Sequence, residues 1–110
     1  MQRPVSFRGQ SGRVYPFETV ENGSDWIRRA GVALFAAPSG ACWRVIRICE
    51  VRGREDDIQP LWAQADAASY GGDTVLTCET ASPEERRAIA EDLEAGLSPL
   101  WASTDLPLAA

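Results

Sequence analysis

The sequence contains no histidine and no lysine, so all 11 of its basic residues are arginine. The absence of histidine excludes Ser-His-Asp and Cys-His catalytic systems, zinc sites with histidine ligands and imidazole acid–base chemistry. The absence of lysine excludes a Walker A lysine and any enzyme that forms a Schiff base through its own lysine. Composition therefore removes several large classes of enzyme before any motif is considered.

Cysteines and long apolar runs are also scarce. The three cysteines, Cys42, Cys49 and Cys78, form no C-x-x-C pair and are too few for a disulfide framework. They are typical of small buried hydrophobic residues in a reducing compartment. No stretch is apolar enough for a signal peptide or a membrane span. We therefore expect a cytoplasmic protein that does not contact membranes.

The 110 residues are 45% hydrophobic and 25% charged, which is typical of one globular domain. We expect a single domain over 1–110, with an N-terminal arm at 1–12 and an irregular tail at 98–110. The formal charge is +5 over residues 1–54 and −10 over residues 55–110. The charge asymmetry is consistent with a solvated surface, with attraction between the two halves, or with stacking between copies.

Four segments have the composition of strands. Residues 31–37 are almost continuously apolar, which predicts a strand buried on both faces, and residues 42–52 are rich in Val, Ile and Trp. The Pro-Ser-Gly turn between them predicts a β-hairpin. Residues 13–20 are a further strand that Pro16 confines to a sheet edge or a bulge. In residues 73–79 apolar and polar residues alternate in part, which predicts the fourth strand.

Two segments have helical patterns. After a possible cap at Asp57, the residues Ile58, Leu61, Trp62, Ala65 and Ser69 recur at helical spacing, and we expect this stripe to face the core. The segment Ser82-Pro83-Glu84-Glu85 is a capping box that begins a helix, which ends near Gly96. The order β-β-β-α-β-α predicts an α+β fold, with a small mixed or antiparallel sheet of three to four strands flanked by helices.

This order and spacing resembles the GIY-YIG nuclease superfamily, in particular its small stand-alone bacterial members. The resemblance extends over about residues 11 to 102. It is carried by Gly31-Val32-Ala33, Ile46-Arg47-Ile48-Cys49-Glu50, Asp56-Asp57-Ile58, Gly71-Gly72, and the pattern Arg87, Ile89, Asp92-Leu93, Leu97 and Pro99.

The resemblance implies a site in which two tyrosines, an arginine and a metal-binding glutamate hydrolyse a phosphodiester. Here the tyrosine positions hold Ala33 and Arg47, Cys49 replaces a glycine, and no arginine lies between Arg54 and Arg86. The metal-binding glutamate position aligns with Ala90. If the alignment slips by one residue, it aligns with Glu91 instead. The late asparagine position of the family falls near Ala102. We therefore expect no catalytic residues, no metal ligands and no cofactor.

A surface function is the alternative to catalysis. The candidate binding residues are Arg44, Arg47, Arg52, Arg54, Trp26 and Trp101. Arginine and tryptophan together suit phosphate contact and base stacking. Alternation along a regular strand would put Arg44 and Arg52 on one face and Arg47 on the other, and pairing with the C-terminal acids is the favoured explanation.

We expect core positions for Trp43 and Trp62, while Trp26 and Trp101 are open to either a core or an interface role. Cys49 is interpreted as a packing residue, because no Lys or His is present to lower the pKa of its thiol.

Three functions remain. The favoured one is an inactive GIY-YIG-like domain that binds a protein partner or a second copy of itself. The second is a weak nucleic-acid-binding module that uses the arginine-rich strand. The third is a metal-dependent nuclease with relocated residues, such as Glu91 with Tyr15 or Tyr70.

Overall fold

A computed structural model describes residues 4–20, 25–40, 42–54 and 56–97. The predicted order of elements is present, with one additional strand at the N-terminal end. A short 3₁₀ helix, Trp26–Arg28, precedes the central hairpin. The strands and helices are β1 (Val5–Arg8), β2 (Val14–Thr19), β3 (Gly31–Ser39), β4 (Cys42–Val51), α1 (Gln59–Ala68), β5 (Thr74–Glu79) and α2 (Pro83–Leu97).

The strands form one sheet in the order β1-β2-β5-β3-β4, and every neighbouring pair is antiparallel. The predicted α+β class, with a sheet flanked by helices, is confirmed. The sheet has five strands, where three to four were expected. Pro16 lies on β2 opposite Ser6 of β1, and β5 pairs with β2 only at Glu18 and Thr19. The proline therefore falls outside the stretch paired on both sides, although β2 is not an edge strand.

The additional strand, β1, lies within the segment 1–12 that was expected to be an arm. Phe7 is buried and packs edge-to-face on Phe17, with 5.6 Å between ring centroids. The register pairs Val5 with Phe17 and Arg8 with Val14, so β1 and β2 form a hairpin. Val5 and Phe7 alternate with polar residues before the Gly9–Gly12 turn, and this alternation is the sequence signal for the strand. The signal is weak because the segment as a whole is polar.

The sheet is covered on both faces, and β3 contributes to both. Ala33 and Phe35 belong to a cluster beneath α1, which we call the α1-side core. Val32 and Leu34 belong to a second cluster beneath α2, the α2-side core. Because β3 is hydrogen-bonded to β5 on one side and β4 on the other, its apolar residues are enclosed in every direction. The predicted burial of residues 31–37 on both faces is confirmed over 31–36, and Ala37 is half-buried.

The helices pack on the sheet in different ways. Helix α2 buries Ile89 and Leu93, as its apolar spacing predicts, and the Glu85 N–H donates to Ser82 Oγ at 3.3 Å, as a capping box requires. Helix α1 instead buries Pro60, Ala63 and Ala67. In the part of the chain that the structure describes, no helix combines the length and apolar character needed to cross a membrane.

Candidate functional site

The positions that resemble a nuclease site do not meet in this fold. Ala33 is fully buried in the α1-side core, whereas Ala90 is buried in the α2-side core. The sheet itself separates these two residues. Arg47 lies on the α1 side, where its Nη1 is 3.3 Å from Oδ2 of Asp66. One pocket therefore cannot contain all three positions.

Cys49 packs against the α1-side core. Burial raises the pKa of its thiol to about 12, although the nearby Arg47 acts in the opposite direction. A thiol with this pKa carries almost no thiolate at neutral pH, and the thiolate is the reactive form. The packing interpretation of Cys49 is supported.

The relocated-residue hypothesis pairs Glu91 with Tyr15 or Tyr70. The Tyr15 hydroxyl donates to Oδ2 of Asp92 at 2.7 Å, and burial together with this carboxylate raises the pKa of Tyr15. Tyr70 follows α1 on the other side of the sheet, and Glu91 is exposed on α2. A pairing of Glu91 with Tyr70 would therefore have to cross the sheet.

The arginines of β4 are distributed by a β-bulge that the sequence did not reveal. The register with β3 shifts between Phe35 and Ala36, so Ile46 and Arg47 both lie over the α1-side core. Beyond the bulge, Trp43 packs on the α2-side core, which turns the neighbouring Arg44 to the α1 side. Arg44 and Arg47 therefore share a face, contrary to the simple alternation expected.

The other arginine candidates are separate from this pair. Arg52 lines a cleft beside α2, and Arg54 forms an ion pair with Asp56 at 3.1 Å. Trp26 is buried against Phe35, so it is a core residue and not a surface anchor. Trp101 lies outside the described residues.

A cleft with a volume of about 490 Å³ lies between the end of β4 and the start of α2. Its charges compensate one another. The buried Arg86 side chain lies 3.4 Å from Glu50, and Arg87 approaches the same carboxylate at 4.0 Å. The residues that line the cleft are Glu50, Arg52, Asp57, Gln59, Pro83, Glu84, Arg86 and Arg87.

The α2 N-terminus beside this cleft already holds an anion, which belongs to the chain itself. A hydrogen bond from its own backbone N–H, followed by one from Ser82, lowers the pKa of Glu84. The Ser82 hydroxyl donates to Oε2 of Glu84 at 3.0 Å. A phosphate approaching this helix end would meet a carboxylate. The cleft is therefore a poor match for a nucleic-acid backbone.

A second feature is the apolar face of α1 that points away from the sheet. Ile58 is 53% exposed, Leu61 42% and Trp62 66%, and Ala65 continues the row. We call these four residues the outer α1 face. They follow the spacing i, i+3, i+4, i+7, which places them along one side of a helix. The predicted apolar stripe is therefore present, but the prediction that it faces the core is wrong, and so is the core position of Trp62.

The cause of this reversal lies in the sheet beneath α1. The α1-side core already contains Phe35, Ile46 and Trp26, so little space is left between sheet and helix. A Cβ on Gly72, just after the helix, would lie 2.7 Å from the Ile46 side chain. Only small side chains fit such a close approach. The alanines therefore turn inward and the large residues turn outward.

Among the residues that the structure describes, no group of three or more Cys, Asp or Glu side chains is placed to hold a metal ion. Comparisons of the chain with protein-family models, with curated proteins and with solved structures find no match.

Proposed function

We propose that this domain is a non-catalytic module that binds another protein chain through the outer α1 face. The exposure of Trp62 and its apolar neighbours on a folded helix is the observation that carries the proposal. Helix α1 contains one charged residue, Asp66, where solvent-facing helices usually carry several. Large apolar side chains grouped on one exposed face are typical of protein interaction sites.

The energetics of the face suit an interface. A tryptophan buries roughly 150–250 Å² when it is covered. At about 25 cal/mol per Å², covering the exposed two-thirds of Trp62 alone yields roughly 3 kcal/mol. Tryptophan is among the residues that dominate binding energy in measured interfaces. We therefore assign Trp62 as the central contact residue.

The nuclease-like ancestry stays a prediction from the sequence. The proposal does not depend on it, because the outer α1 face is defined by exposure and spacing alone. A cytoplasmic location is part of the proposal, and it is supported by three cysteines that form no disulfide. Compensation of Arg47, Arg54 and Arg86 by nearby carboxylates favours protein contact over nucleic-acid contact.

The test compares two charge substitutions at exposed apolar positions. Trp62→Glu places a carboxylate on the outer α1 face, and Val14→Glu places one on β2, where Val14 is 50% exposed. Tagged wild-type protein and both variants are used as baits in extracts of the source cells, and circular dichroism verifies that each is folded. We expect chains retained by the wild type and Val14→Glu to be lost from Trp62→Glu. Retention by all three baits would contradict the proposal.

A parallel measurement addresses the nucleic-acid and nuclease alternatives. The wild type is titrated with a short DNA duplex at about 50 and 200 mM salt and incubated with it in Mg²⁺ or Mn²⁺. We expect neither binding nor cleavage. Affinity that falls steeply with salt would favour phosphate contact by the arginines instead, and metal-dependent cleavage would favour the relocated-residue hypothesis.

A further inference from the structure

We propose that the cleft between β4 and α2 binds a small zwitterion of the amino-acid class, whose carboxylate contacts arginine and whose ammonium group contacts a carboxylate of the chain. This inference goes beyond the proposed function, because the cleft is lined by residues other than those of the outer α1 face. The volume of the cleft, about 490 Å³, is within the roughly 300–1,000 Å³ of small-molecule sites.

The strand register brings charged residues of β4 to the α2 side of the sheet. Glu50 lies opposite Val32, which belongs to the α2-side core, so the two side chains share a face. Arg52 follows two residues later and lines the cleft beside Glu50. Helix α2 begins at Pro83, so Arg86 lies in its first turn and its Nε is 3.4 Å from Glu50. The sheet and the helix therefore form the two sides of the cleft.

Arg86 is the residue that points to a ligand. Its side chain is only 10% exposed, and its hydrogen bond to Glu50 is donated by Nε. Its two terminal nitrogens donate no hydrogen bond to a residue that the structure describes. Among those residues, no side-chain nitrogen or oxygen is both buried and without a partner, so the terminal nitrogens reach the open space of the cleft that Arg86 lines. Their N–H groups are available to an acceptor that enters the cleft.

A carboxylate is the acceptor that fits these donors. The paired N–H groups of a guanidinium match the two oxygens of a carboxylate in a planar, bidentate contact. A terminal phosphate group also accepts such a pair, but it carries a second negative charge at neutral pH. It would approach Glu50 and Glu84, which line the same cleft, and like charges repel. The single charge of a carboxylate meets the smaller repulsion.

Two further arginines of the cleft can strengthen this contact. Arg87 is 72% exposed and approaches Glu50 only at 4.0 Å. Arg52 is exposed just after the end of β4. Both are long side chains that can turn toward a bound carboxylate, whereas the buried Arg86 is held in place. The arginines therefore combine one fixed contact with two adjustable ones.

Negative charge in the same cleft suits the other end of a zwitterion. The three arginines are balanced by three carboxylates, which are Glu50, Asp57 and Glu84. Asp57 is half-buried and accepts the Gln59 N–H through Oδ1 at 3.2 Å. A hydrogen bond from its own N–H, followed by one from Ser82, lowers the pKa of Glu84, which is therefore ionised at neutral pH. An ammonium group on the ligand would pair with these carboxylates, and a simple anion would leave them facing its charge.

The test is a titration of ¹⁵N-labelled protein at neutral pH, followed by amide chemical shifts. The probes are the standard amino acids and diglycine, which distinguish a free amino acid from a short peptide as the source of this chemistry. We expect at least one of them to bind with a Kd below about 5 mM and to shift the amides of Arg52, Asp57 and Arg87.

Three reference compounds test the class of ligand. Propionate and ethylamine should bind at least tenfold more weakly than the best amino acid or peptide, because each contacts charges of one sign only. Inorganic phosphate should also bind more weakly. If no zwitterion shifts these amides, or if propionate or phosphate binds as tightly as the best zwitterion, the proposal is overturned.

Variants test whether the arginines of the cleft bind the ligand. Arg86→Gln should abolish binding, and Arg52→Gln, at an exposed position, should weaken it at least threefold. Arg8→Gln makes the same charge change at an exposed position on β1, outside the cleft, and should leave the Kd within about twofold of the wild type. Circular dichroism verifies folding, and Arg52→Gln decides the outcome if Arg86→Gln unfolds. Equal affinities of Arg52→Gln and Arg8→Gln would overturn the proposal.

Discussion

At the scale of single residues, Asp92 of α2 gathers the polar contacts that hold the first hairpin. Its carboxylate accepts hydrogen bonds from the Ser11 hydroxyl at 2.7 Å, the Ser11 N–H at 2.8 Å and the Tyr15 hydroxyl at 2.7 Å. The Ser11 hydroxyl, then the Ser11 N–H and the Tyr15 hydroxyl, hold the pKa of Asp92 below its ordinary 3.8. The ionised form of Asp92 is therefore the one that ties α2 to the turn between β1 and β2.

This pKa shift predicts a pH-dependent contribution to stability. A carboxyl whose pKa is lowered by folding stabilises the fold above its ordinary pKa, and the effect is lost as the pH falls through the lowered value. Asp92→Asn should therefore unfold at lower denaturant concentration than the wild type at pH 7, and the difference should shrink below about pH 4. Urea unfolding from pH 2 to 7 measures this. Glu91→Gln, on the neighbouring exposed residue, is the control, and a difference for Asp92→Asn that does not vary with pH would contradict the assignment.

Glu50 compensates the charge of a buried guanidinium. The Arg86 side chain is only 10% exposed, and among the residues that the structure describes it forms its ion pair with Glu50. Glu50→Ala should lower the free energy of unfolding by on the order of 2 kcal/mol, because it leaves a nearly buried charge without compensation. The control is Glu79→Ala, which breaks an exposed pair with Arg29 at 3.7 Å and should cost less than about 0.5 kcal/mol. Equal losses in chemical denaturation would show that Arg86 does not need its partner.

At the scale of elements, β4 needs protection as an edge strand. It is ten residues long and, within the described residues, pairs only with β3. Long edge strands invite pairing with other chains, and natural proteins oppose this with charges and bulges. Strand β4 has both, in Arg44, Arg47 and the register shift opposite Phe35. This gives its arginines a structural role that requires no nucleic acid.

Removing one of these charges should promote aggregation with little effect on folding. Arg44→Val adds a β-branched apolar residue to the exposed edge, and the free energy of unfolding should change by less than about 0.5 kcal/mol. Light scattering on heating should rise earlier than for the wild type. Arg87→Val makes the same charge change on α2 and should leave the onset unaltered. Equal onsets in the two variants would point to net charge as the cause.

Local signals predicted most of the elements. The Pro-Ser-Gly turn between two apolar runs predicted the β3–β4 hairpin, and Ser82 with Pro83 predicted the start of α2. The bulge in β4 could not be predicted, because no Gly or Pro marks it and the extra residue, Ile46, is an ordinary strand residue. A register shift of this kind depends on what the neighbouring strands pack against.

The direction in which the outer α1 face points also depends on tertiary context. Spacing alone identified the stripe that contains Trp62, but hydrophobicity assigned the stripe to the core. Two apolar sides compete on α1, since Pro60, Ala63 and Ala67 also recur at helical spacing. The choice between them is made by the bulky α1-side core, which admits alanine and excludes tryptophan. No local pattern carries that information.

At the scale of the whole molecule, α2 connects the first hairpin to the rest of the fold. Gly96 lies against the turn between β1 and β2, where an added Cβ would lie 2.5 Å from the Gln10 nitrogen and 2.7 Å from the Gly9 carbonyl carbon. Both neighbours are backbone atoms, which cannot rotate away as a side chain can. This glycine is therefore required for close packing within a helix that it otherwise weakens.

Gly96→Ala should consequently destabilise the protein, although alanine favours a helix by about 1 kcal/mol over glycine. We expect a net loss of roughly 1–2 kcal/mol as the hairpin shifts from α2. Thermal unfolding measures the loss, and the fluorescence of tryptophans far from the hairpin should stay unchanged in the folded state. A more stable variant would show that the turn can move at no cost.

The thin contact beneath α1 has a consequence for the order in which the molecule opens. The buried residues of this helix are Pro60, Ala63 and Ala67, and small side chains bury little apolar surface. Its backbone amides should exchange with deuterium before those of β3, which are locked between two strands until global unfolding. A partner that covers Trp62 should slow the exchange of the α1 amides. Their exchange rate therefore shows whether the outer α1 face is occupied.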